Sequence, residues 1–148
     1  MTDDRREERR VLDIGAGTGL LSLMLAQKVN AFIDAIEINA DAALQAKENF
    51  NASPWSERLA VHHQPIQTWT ETNYDLIISN PPFFEQDLKS PNTERNLALH
   101  DTGLTLEILW QQVVRCLHTT GQFAILLPAH RLSAWPNRQC CHHHPYPA

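Results

Sequence analysis

The sequence predicts an α/β domain built around a parallel β-sheet. Two observations predict it: short, continuously apolar runs recur along the chain, and helix-like segments separate them. Strands that are buried on both faces of a parallel sheet have this continuous apolar character. Since alternating strands and helices form right-handed crossovers, we predict a doubly wound sheet with strand order 3-2-1-4-5. A ligand cleft is then expected at the carboxyl ends of the strands that end at Gly15 and Ser79.

Each element is predicted from its own run of residues. The predicted strands are VLDIG (11–15), FIDAIEI (32–38), RLAVHH (58–63), YDLIIS (74–79) and GQFAILLP (121–128). The predicted helices are LLSLMLAQKV (20–29), ADAALQAKENF (40–50) and LTLEILWQQVVRCL (104–117). The second helix is rich in residues of high helix propensity, and the third spaces its apolar residues at helical intervals.

The 148 residues fit one domain. We expect a charged N-terminal segment (1–10), a domain at 11–130, and an irregular, disordered tail at 131–148. No apolar run is long enough to cross a membrane and the start lacks an apolar signal core, so we expect a cytoplasmic protein without a membrane partner. The net charge of −5 does not indicate a nucleic-acid binder, and we interpret the basic cluster Arg5, Arg6, Arg9 and Arg10 as a solvated start of the chain.

The tail contains a cluster of cysteine and histidine: Cys140, Cys141, His142, His143 and His144. Consecutive residues point in alternating directions, and the spaced pairs of known zinc sites are absent, so we expect no metal site. Three cysteines, two of them adjacent, do not suggest a disulfide framework. We interpret the tail as the end of a truncated or frame-shifted chain.

Three glycines, Gly15, Gly17 and Gly19, separate the first strand from the first helix. They allow a tight turn and the close approach of a ligand to the backbone at a helix N-terminus. The spacing is G-x-G-x-G after Asp13, whereas a dinucleotide fingerprint is G-x-G-x-x-G, which argues against NAD. Glu37 ends the second strand, where an acid can accept hydrogen bonds from both hydroxyls of a ribose. These features together indicate a nucleoside-bearing ligand.

Three motifs in the chain resemble those of class I S-adenosylmethionine-dependent methyltransferases. DIGAGTG (13–19) resembles their first motif and IEI (36–38) their second, while SNPPFF (79–84) resembles the N-P-P-[FY] motif of members that methylate planar nitrogens. The segments LDIGAGTGLLSLMLAQ, AKENFNASPWSERLAVH and YDLIISNPPFF are similar to bacterial tRNA methyltransferases that modify the exocyclic amine of the adenosine beside the anticodon of valine tRNA. The resemblance covers roughly residues 10–130.

The resemblance implies a Rossmann-like fold, S-adenosyl-L-methionine as cofactor, and the anticodon loop of tRNA as substrate. It assigns cofactor binding to Asp13, Gly15, Gly17, Gly19, Glu37, Ile66 and Asn80, and catalysis to Asn80, Pro81, Pro82 and Phe83. The family's sheet has seven strands, so a chain with five predicted strands is expected to lack the last two and to be truncated at both ends.

The chemistry explains why the fourth strand ends in N-P-P-F. An adenine amine is a poor nucleophile because its lone pair is delocalised into the ring. The resemblance implies that the Asn80 side-chain oxygen and the Pro81 carbonyl accept hydrogen bonds from the two N–H groups of the amine and so orient this lone pair. Prolines remove competing donors and stiffen the loop. Phe83 offers a face for base stacking, with roughly 1–3 kcal/mol at stake, whereas Phe84 fits either the site or the core. Neither a general base nor a metal is required.

The third family motif departs from the pattern. Its acid, which accepts a hydrogen bond from the cofactor's adenine amine, is replaced by Pro65, and the backbone N–H of Ile66 is expected to meet the adenine ring. Three alternatives to tRNA methylation stay open: methylation of a protein glutamine, methylation of a guanine amine in ribosomal RNA, and an inactive remnant that binds the cofactor weakly or not at all.

Overall fold

The computed structural model describes residues 9–81 and 104–136. Within them, parallel strands form one sheet in the order β3-β2-β1-β4-β5. The strands are β1 (Arg9–Ile14), β2 (Ala31–Glu37), β3 (Leu59–His63), β4 (Tyr74–Ser79) and β5 (Leu117–Ile125). The helices are α1 (Leu20–Ala26), α2 (Ala40–Asn51) and α3 (Leu106–Cys116), with 3₁₀ turns at Ser56–Arg58, Ile66–Thr68 and Ala129–Ala134. The predicted fold class and strand order are confirmed.

Each face of the sheet carries its own hydrophobic core, as continuously apolar strands require. Val11 and Ile33 pack with Phe50 of α2 on one face. Leu12 packs with Leu109 and the other buried residues of α3 on the opposite face. Adjacent β1 residues therefore belong to different cores, and β1 is buried on both faces from Val11 to Ile14.

Helix α1 is shorter than the predicted segment 20–29. It ends at Ala26, and the guanidinium of Arg58 donates hydrogen bonds to the carbonyl oxygens of Ala26, Val29 and Ala31 at 2.9–3.1 Å. The Ala26 carbonyl lies in the last turn of the helix, where carbonyl groups lack intrahelical partners, while those of Val29 and Ala31 lie in the connection and at the start of β2. The SPWSER segment (53–58) thus stabilises the connection between α1 and β2.

The central strand β1 and the outer strand β5 also differ from their predicted bounds. β1 begins at Arg9, inside the predicted charged segment, where it pairs with Ala31. β5 begins at Leu117 rather than at residue 121, because Leu117 pairs with Tyr74 before a register shift that places Gln122 opposite Leu76. Gly121 is required at this irregularity, since a Cβ there would lie 2.8 Å from the carbonyl oxygen of Tyr74.

The segment after β5 folds back onto the sheet through Trp135. This side chain is buried and stacks on Phe123 with ring centroids 5.3 Å apart, while its edge meets Trp110 at 5.6 Å. Trp135 thus covers the Phe123 side chain of β5, the outermost strand on this side of the described sheet. The tail boundary at residue 131 stays a prediction, and the cluster from Cys140 to His144 lies outside the described residues. No helix in the described ranges is both long and apolar enough to span a membrane.

Candidate functional site

The glycine loop follows β1 at the carboxyl edge of the sheet. Gly15, Gly17 and Gly19 have φ values of 72°, 58° and 86°, in the left-handed region that favours glycine. The N–H groups of Gly15 and Ala16 both donate to the carbonyl oxygen of Ile36, at 2.9 and 3.1 Å. A Cβ at Gly15 or Gly17 would meet no atom within 4 Å, so this side of the loop is open to a ligand.

Gly19 has a different neighbour from the other two glycines. A Cβ there would lie 2.5 Å from the ring of Phe50 on α2. Asn49, the residue before Phe50, donates a hydrogen bond from its side-chain amide to the carbonyl oxygen of Thr18 at 2.9 Å. Gly19 therefore allows α2 to pack closely behind the loop.

Glu37, at the end of β2, is nearly buried and holds two backbone N–H groups. Oε2 accepts a hydrogen bond from Gly17 at 2.6 Å, and Oε1 accepts one from Asn39 at 3.0 Å. Asn39 in turn caps the N-terminus of α2, because its side-chain oxygen accepts a hydrogen bond from the N–H of Ala42. Glu37 thus joins the glycine loop to the start of α2.

Asp13 is a buried carboxyl group directly below the loop. Its Oδ2 accepts a hydrogen bond from the Ser22 hydroxyl at 2.7 Å, and its buried Oδ1 has no partner within the described part of the chain. Burial raises the pKa of Asp13 to about 6; the Ser22 bond opposes this rise and the charge of Glu37 adds to it. An unpaired buried carboxylate oxygen beside an open loop suits a donor from a ligand.

The fourth strand brings Asn80 to the same edge. Ser79 is paired with Ile14 in the parallel register, and its hydroxyl donates to the Ile14 carbonyl oxygen at 2.8 Å. Asn80 is exposed and Pro81 is buried. Pro82, Phe83 and Phe84 lie outside the described residues.

The connection after β3 carries the departure from the third motif. Pro65 has extended backbone angles and begins the turn Ile66–Thr68, and its carbonyl oxygen accepts a bond from the N–H of Thr68 at 3.1 Å. Ile66 is buried in the core beneath the turn. His63, at the end of β3, lies opposite Glu37, and its Nε2 is 3.0 Å from the carbonyl oxygen of Ile38.

Those predicted site residues that the structure describes therefore converge on neighbouring strand ends. Because β1 lies between β2 and β4, Glu37 and Asn80 flank the glycine loop at strand spacings of about 5 Å each. Ile66 follows the outermost strand of this group. Sequence reasoning assigned no role to Ser22, Ser79 or His63. Ser79 lies in a quoted motif, but no sequence signal links Ser22 to Asp13.

A family model described as the methyltransferase small domain matches residues 1–130. Curated relatives named tRNA1(Val) (adenine(37)-N6)-methyltransferase include a protein of Phocaeicola vulgatus, 48% identical over 122 residues, which are 82% of this chain and 52% of the relative. Another, of Cytophaga hutchinsonii, is 52% identical over 120 residues, 79% of this chain and 50% of the relative. The chain spans about half the length of these curated relatives.

Solved structures share the fold at low sequence identity. A SAM-dependent methyltransferase from Thiobacillus denitrificans, in complex with S-adenosyl-L-homocysteine, is 14% identical with a TM-score of 0.60 over 86% of this chain and 48% of that one. Geranyl diphosphate C-methyltransferase from Streptomyces coelicolor is 12% identical with a TM-score of 0.59, covering 78% and 38%. These values establish the fold. Because the family model matches residues 1–130, most of the chain, the chain belongs to the methyltransferase small domain family.

Proposed function

We propose that this chain transfers a methyl group from S-adenosyl-L-methionine to the exocyclic N6 amine of an adenosine in tRNA. The observation that carries the proposal is the meeting of the open glycine loop, Glu37 and Asn80 on neighbouring strand ends. Relatives about 50% identical over four fifths of the chain are named tRNA1(Val) (adenine(37)-N6)-methyltransferase, which supports tRNA as the substrate.

The residues at the edge fit S-adenosyl-L-methionine. A side chain at Gly15 or Gly17 would occupy the open space beside the loop. Because both positions are glycine, a ligand can approach the backbone closely there. The unpaired Asp13 Oδ1 suits the ammonium group of the cofactor's methionine part. Glu37 keeps lone pairs for the ribose hydroxyls beyond its two backbone bonds. When bound, the cofactor supplies an electrophilic methyl group on a positively charged sulfur.

Three further assignments complete the cofactor site. The backbone N–H of Ile66 is assigned to the adenine ring, as the resemblance implies. Gly19 supports the loop from behind, since its Cβ position faces Phe50 rather than open space. Asn80 is assigned a place beside the cofactor, as the resemblance implies, because it follows Ser79, which pairs with Ile14 directly before the glycine loop.

Asn80 and Pro81 act on the substrate. The Asn80 side-chain oxygen and the Pro81 carbonyl accept hydrogen bonds from the two N–H bonds of the amine. This turns the nitrogen lone pair toward the methyl group and stabilises positive charge as it grows on nitrogen. The proton then leaves to water, so no base is assigned. Pro82 and Phe83 keep the roles implied by the resemblance, loop stiffening and base stacking.

Methyl transfer to a defined RNA tests the proposal. The chain is incubated with isotope-labelled S-adenosyl-L-methionine and an unmodified transcript of tRNA1(Val), and N6-methyladenosine is measured by mass spectrometry after digestion. A matched transcript, in which adenine 37 (the position given in the names of the relatives) is replaced by guanine, is expected to stay unlabelled.

The same assay separates the alternatives. Label in ribosomal RNA guanine or in protein glutamine, with none in tRNA, would replace the substrate. Cofactor binding without transfer to any of these acceptors, or no binding by calorimetry, would identify a catalytically inactive chain and overturn the proposal.

A further inference from the structure

We propose that Ser79 is a positioning residue whose hydroxyl fixes the glycine loop relative to Asn80. The inference rests on the proposed function, because it concerns the alignment of the two loops that would hold cofactor and substrate. A buried hydrogen bond from the Ser79 hydroxyl on β4 to the Ile14 carbonyl oxygen on β1 carries the inference.

The hydroxyl of Ser79 is placed where the strands stop and the loops begin. Ser79 is 1% exposed, and its Oγ donates to the carbonyl oxygen of Ile14 at 2.8 Å. Each partner directly precedes a site residue: Gly15 follows Ile14, and Asn80 follows Ser79. The bond therefore joins the two strand ends directly before the glycine loop and directly before Asn80.

The peptide unit between Ile14 and Gly15 is held on both sides. Its carbonyl oxygen accepts the Ser79 hydroxyl, and its N–H, which belongs to Gly15, donates to the Ile36 carbonyl oxygen at 2.9 Å. Gly15 then turns the chain with a φ of 72°. The orientation of this peptide plane sets the direction in which the loop leaves β1. Without the hydroxyl, the plane keeps the Ile36 bond and the backbone pairing of Ile14 with Ser79, but loses the buried side-chain bond that fixes the Ile14 carbonyl at the start of the loop.

Ser79 is itself held in place from β5. Its carbonyl oxygen accepts a hydrogen bond from the N–H of Leu126 at 3.0 Å. The hydroxyl thus acts from a backbone position that is fixed on its other side, and Asn80 leaves β4 from the same point. Group transfer is sensitive to such alignment, since a displacement near 1 Å can lower a rate by about 100-fold.

Alanine at position 79 tests the role, with Ser53 as the matched control. The Ser53 hydroxyl also donates to a backbone carbonyl, that of Phe50, at the same distance of 2.8 Å, but at the end of α2. We expect Ser79→Ala and Ser53→Ala each to change the unfolding equilibrium constant by about fivefold. Only Ser79→Ala is expected to lower the turnover number on the tRNA1(Val) transcript, by about tenfold or more at saturating cofactor and RNA.

Two further readouts separate positioning from general stability. The dissociation constant for S-adenosyl-L-methionine should change by less than about threefold in Ser79→Ala, because the Ile36 bonds to the loop remain. Ser79→Thr, which keeps the hydroxyl, should restore turnover. Equal turnover in the Ser79→Ala and Ser53→Ala variants would overturn the inference.

Amide hydrogen exchange tests the bond without any activity. We expect faster exchange at Gly15 and Ala16 in Ser79→Ala than in the wild-type chain, and unchanged exchange in Ser53→Ala. If the wild-type chain transfers no methyl group, the proposed function fails while this measurement still decides the inference. Unchanged exchange at Gly15 in Ser79→Ala would refute it.

Discussion

The backbone N–H of Gly17 donates a hydrogen bond to Oε2 of Glu37 across 2.6 Å. The other carboxylate oxygen accepts the N–H of Asn39, so the acid at the end of β2 shapes the loop of β1 and the start of α2 together. An ionised carboxylate has about four lone-pair sites, and two remain for ribose hydroxyls. Glu37 therefore has a structural role in addition to the ligand role expected from its position.

Replacement of Glu37 should weaken cofactor binding, because it removes acceptors for the ribose and also the bonds that hold the glycine loop and the start of α2. We expect Glu37→Ala to reduce the affinity for S-adenosyl-L-methionine by roughly 2–3 kcal/mol, through loss of charge-assisted bonds to the ribose. Glu37→Gln keeps one carbonyl acceptor and should lose less. Isothermal calorimetry measures both, with Glu48→Gln on the exposed face of α2 as the control. Unchanged affinity in Glu37→Ala would remove this residue from the site.

Asp13 should make stability depend on pH. Its pKa rises from the ordinary 3.8 to about 6 in the fold, mainly because burial disfavours the charged form. The protonated carboxyl is therefore favoured in the fold: its stabilising contribution is complete below pH 3.8 and is lost as the pH rises through about 6. The shift corresponds to about 3 kcal/mol.

Asp13→Asn tests this dependence. The variant should lose less stability than the wild-type chain between pH 4 and pH 7, as measured by urea unfolding at a series of pH values. Its cofactor affinity at pH 7 should nevertheless fall, because the amide cannot pair with an ammonium group. Parallel pH profiles for the two chains would show that Asp13 is not the titrating group.

Pro65→Asp should strengthen cofactor binding. The aspartate would restore the acceptor that the family motif places before Ile66, and proline has no side-chain acceptor. The extended backbone of Pro65, with φ −70° and ψ 146°, is accessible to aspartate without strain. Pro65→Asn is the matched variant without charge. A Pro65→Asp chain that binds S-adenosyl-L-methionine no better than wild type contradicts the prediction.

Gly19→Ala should disrupt the packing of α2 behind the loop. The new Cβ would lie 2.5 Å from the Phe50 ring, and the left-handed φ of 86° adds about 1–2 kcal/mol of strain. Gly17→Ala carries the strain without the clash and should lose less stability. In a double-mutant cycle, Phe50→Leu should recover part of the Gly19→Ala loss; strict additivity would exclude the steric cause.

The sequence predicted the parts of the fold that depend on local patterns. β4 and the start of α2 lie where their apolar runs and helix formers indicated, and the glycine spacing located the loop. The end of α1 could not be predicted, because it depends on Arg58, 32 residues beyond Ala26. The start of β5 depends likewise on its pairing with Tyr74. Boundaries set by tertiary contacts leave no local signal.

The candidate site likewise has features that local sequence patterns predict and features that depend on tertiary contacts. Glu37 is recognisable from its place after the second strand, but its bond to Gly17 joins residues 20 apart. The bond from Ser79 to Ile14 spans 65 residues, and both residues look like ordinary strand ends in the sequence. Motifs thus predict which residue types meet at the edge, while the hydrogen bonds that fix their mutual geometry appear only with the fold.

Asn80 should affect the rate of methyl transfer far more than cofactor affinity. Its side-chain oxygen accepts a hydrogen bond from the target amine, and this bond strengthens as positive charge grows on the nitrogen. Asn80→Ala should therefore lower the turnover number by roughly 10²–10³-fold, which is about 3–4 kcal/mol of transition-state stabilisation. Asn80→Asp keeps an acceptor while adding a charge, so its loss should be smaller.

Single-turnover transfer to the tRNA1(Val) transcript measures this step apart from product release. Asn30→Ala is the control, because Asn30 is also exposed but lies before β2, at the opposite end of the sheet. Calorimetry should give nearly the same dissociation constant for S-adenosyl-L-methionine in the wild-type chain and in the Asn80→Ala, Asn80→Asp and Asn30→Ala variants. If Asn80→Ala and wild type transfer methyl groups at the same rate, the role assigned to the N-P-P-F motif is wrong. A large loss of cofactor affinity in Asn80→Ala would instead move this residue from the substrate to the cofactor, since an interaction made equally in the ground state does not raise the rate of the chemical step.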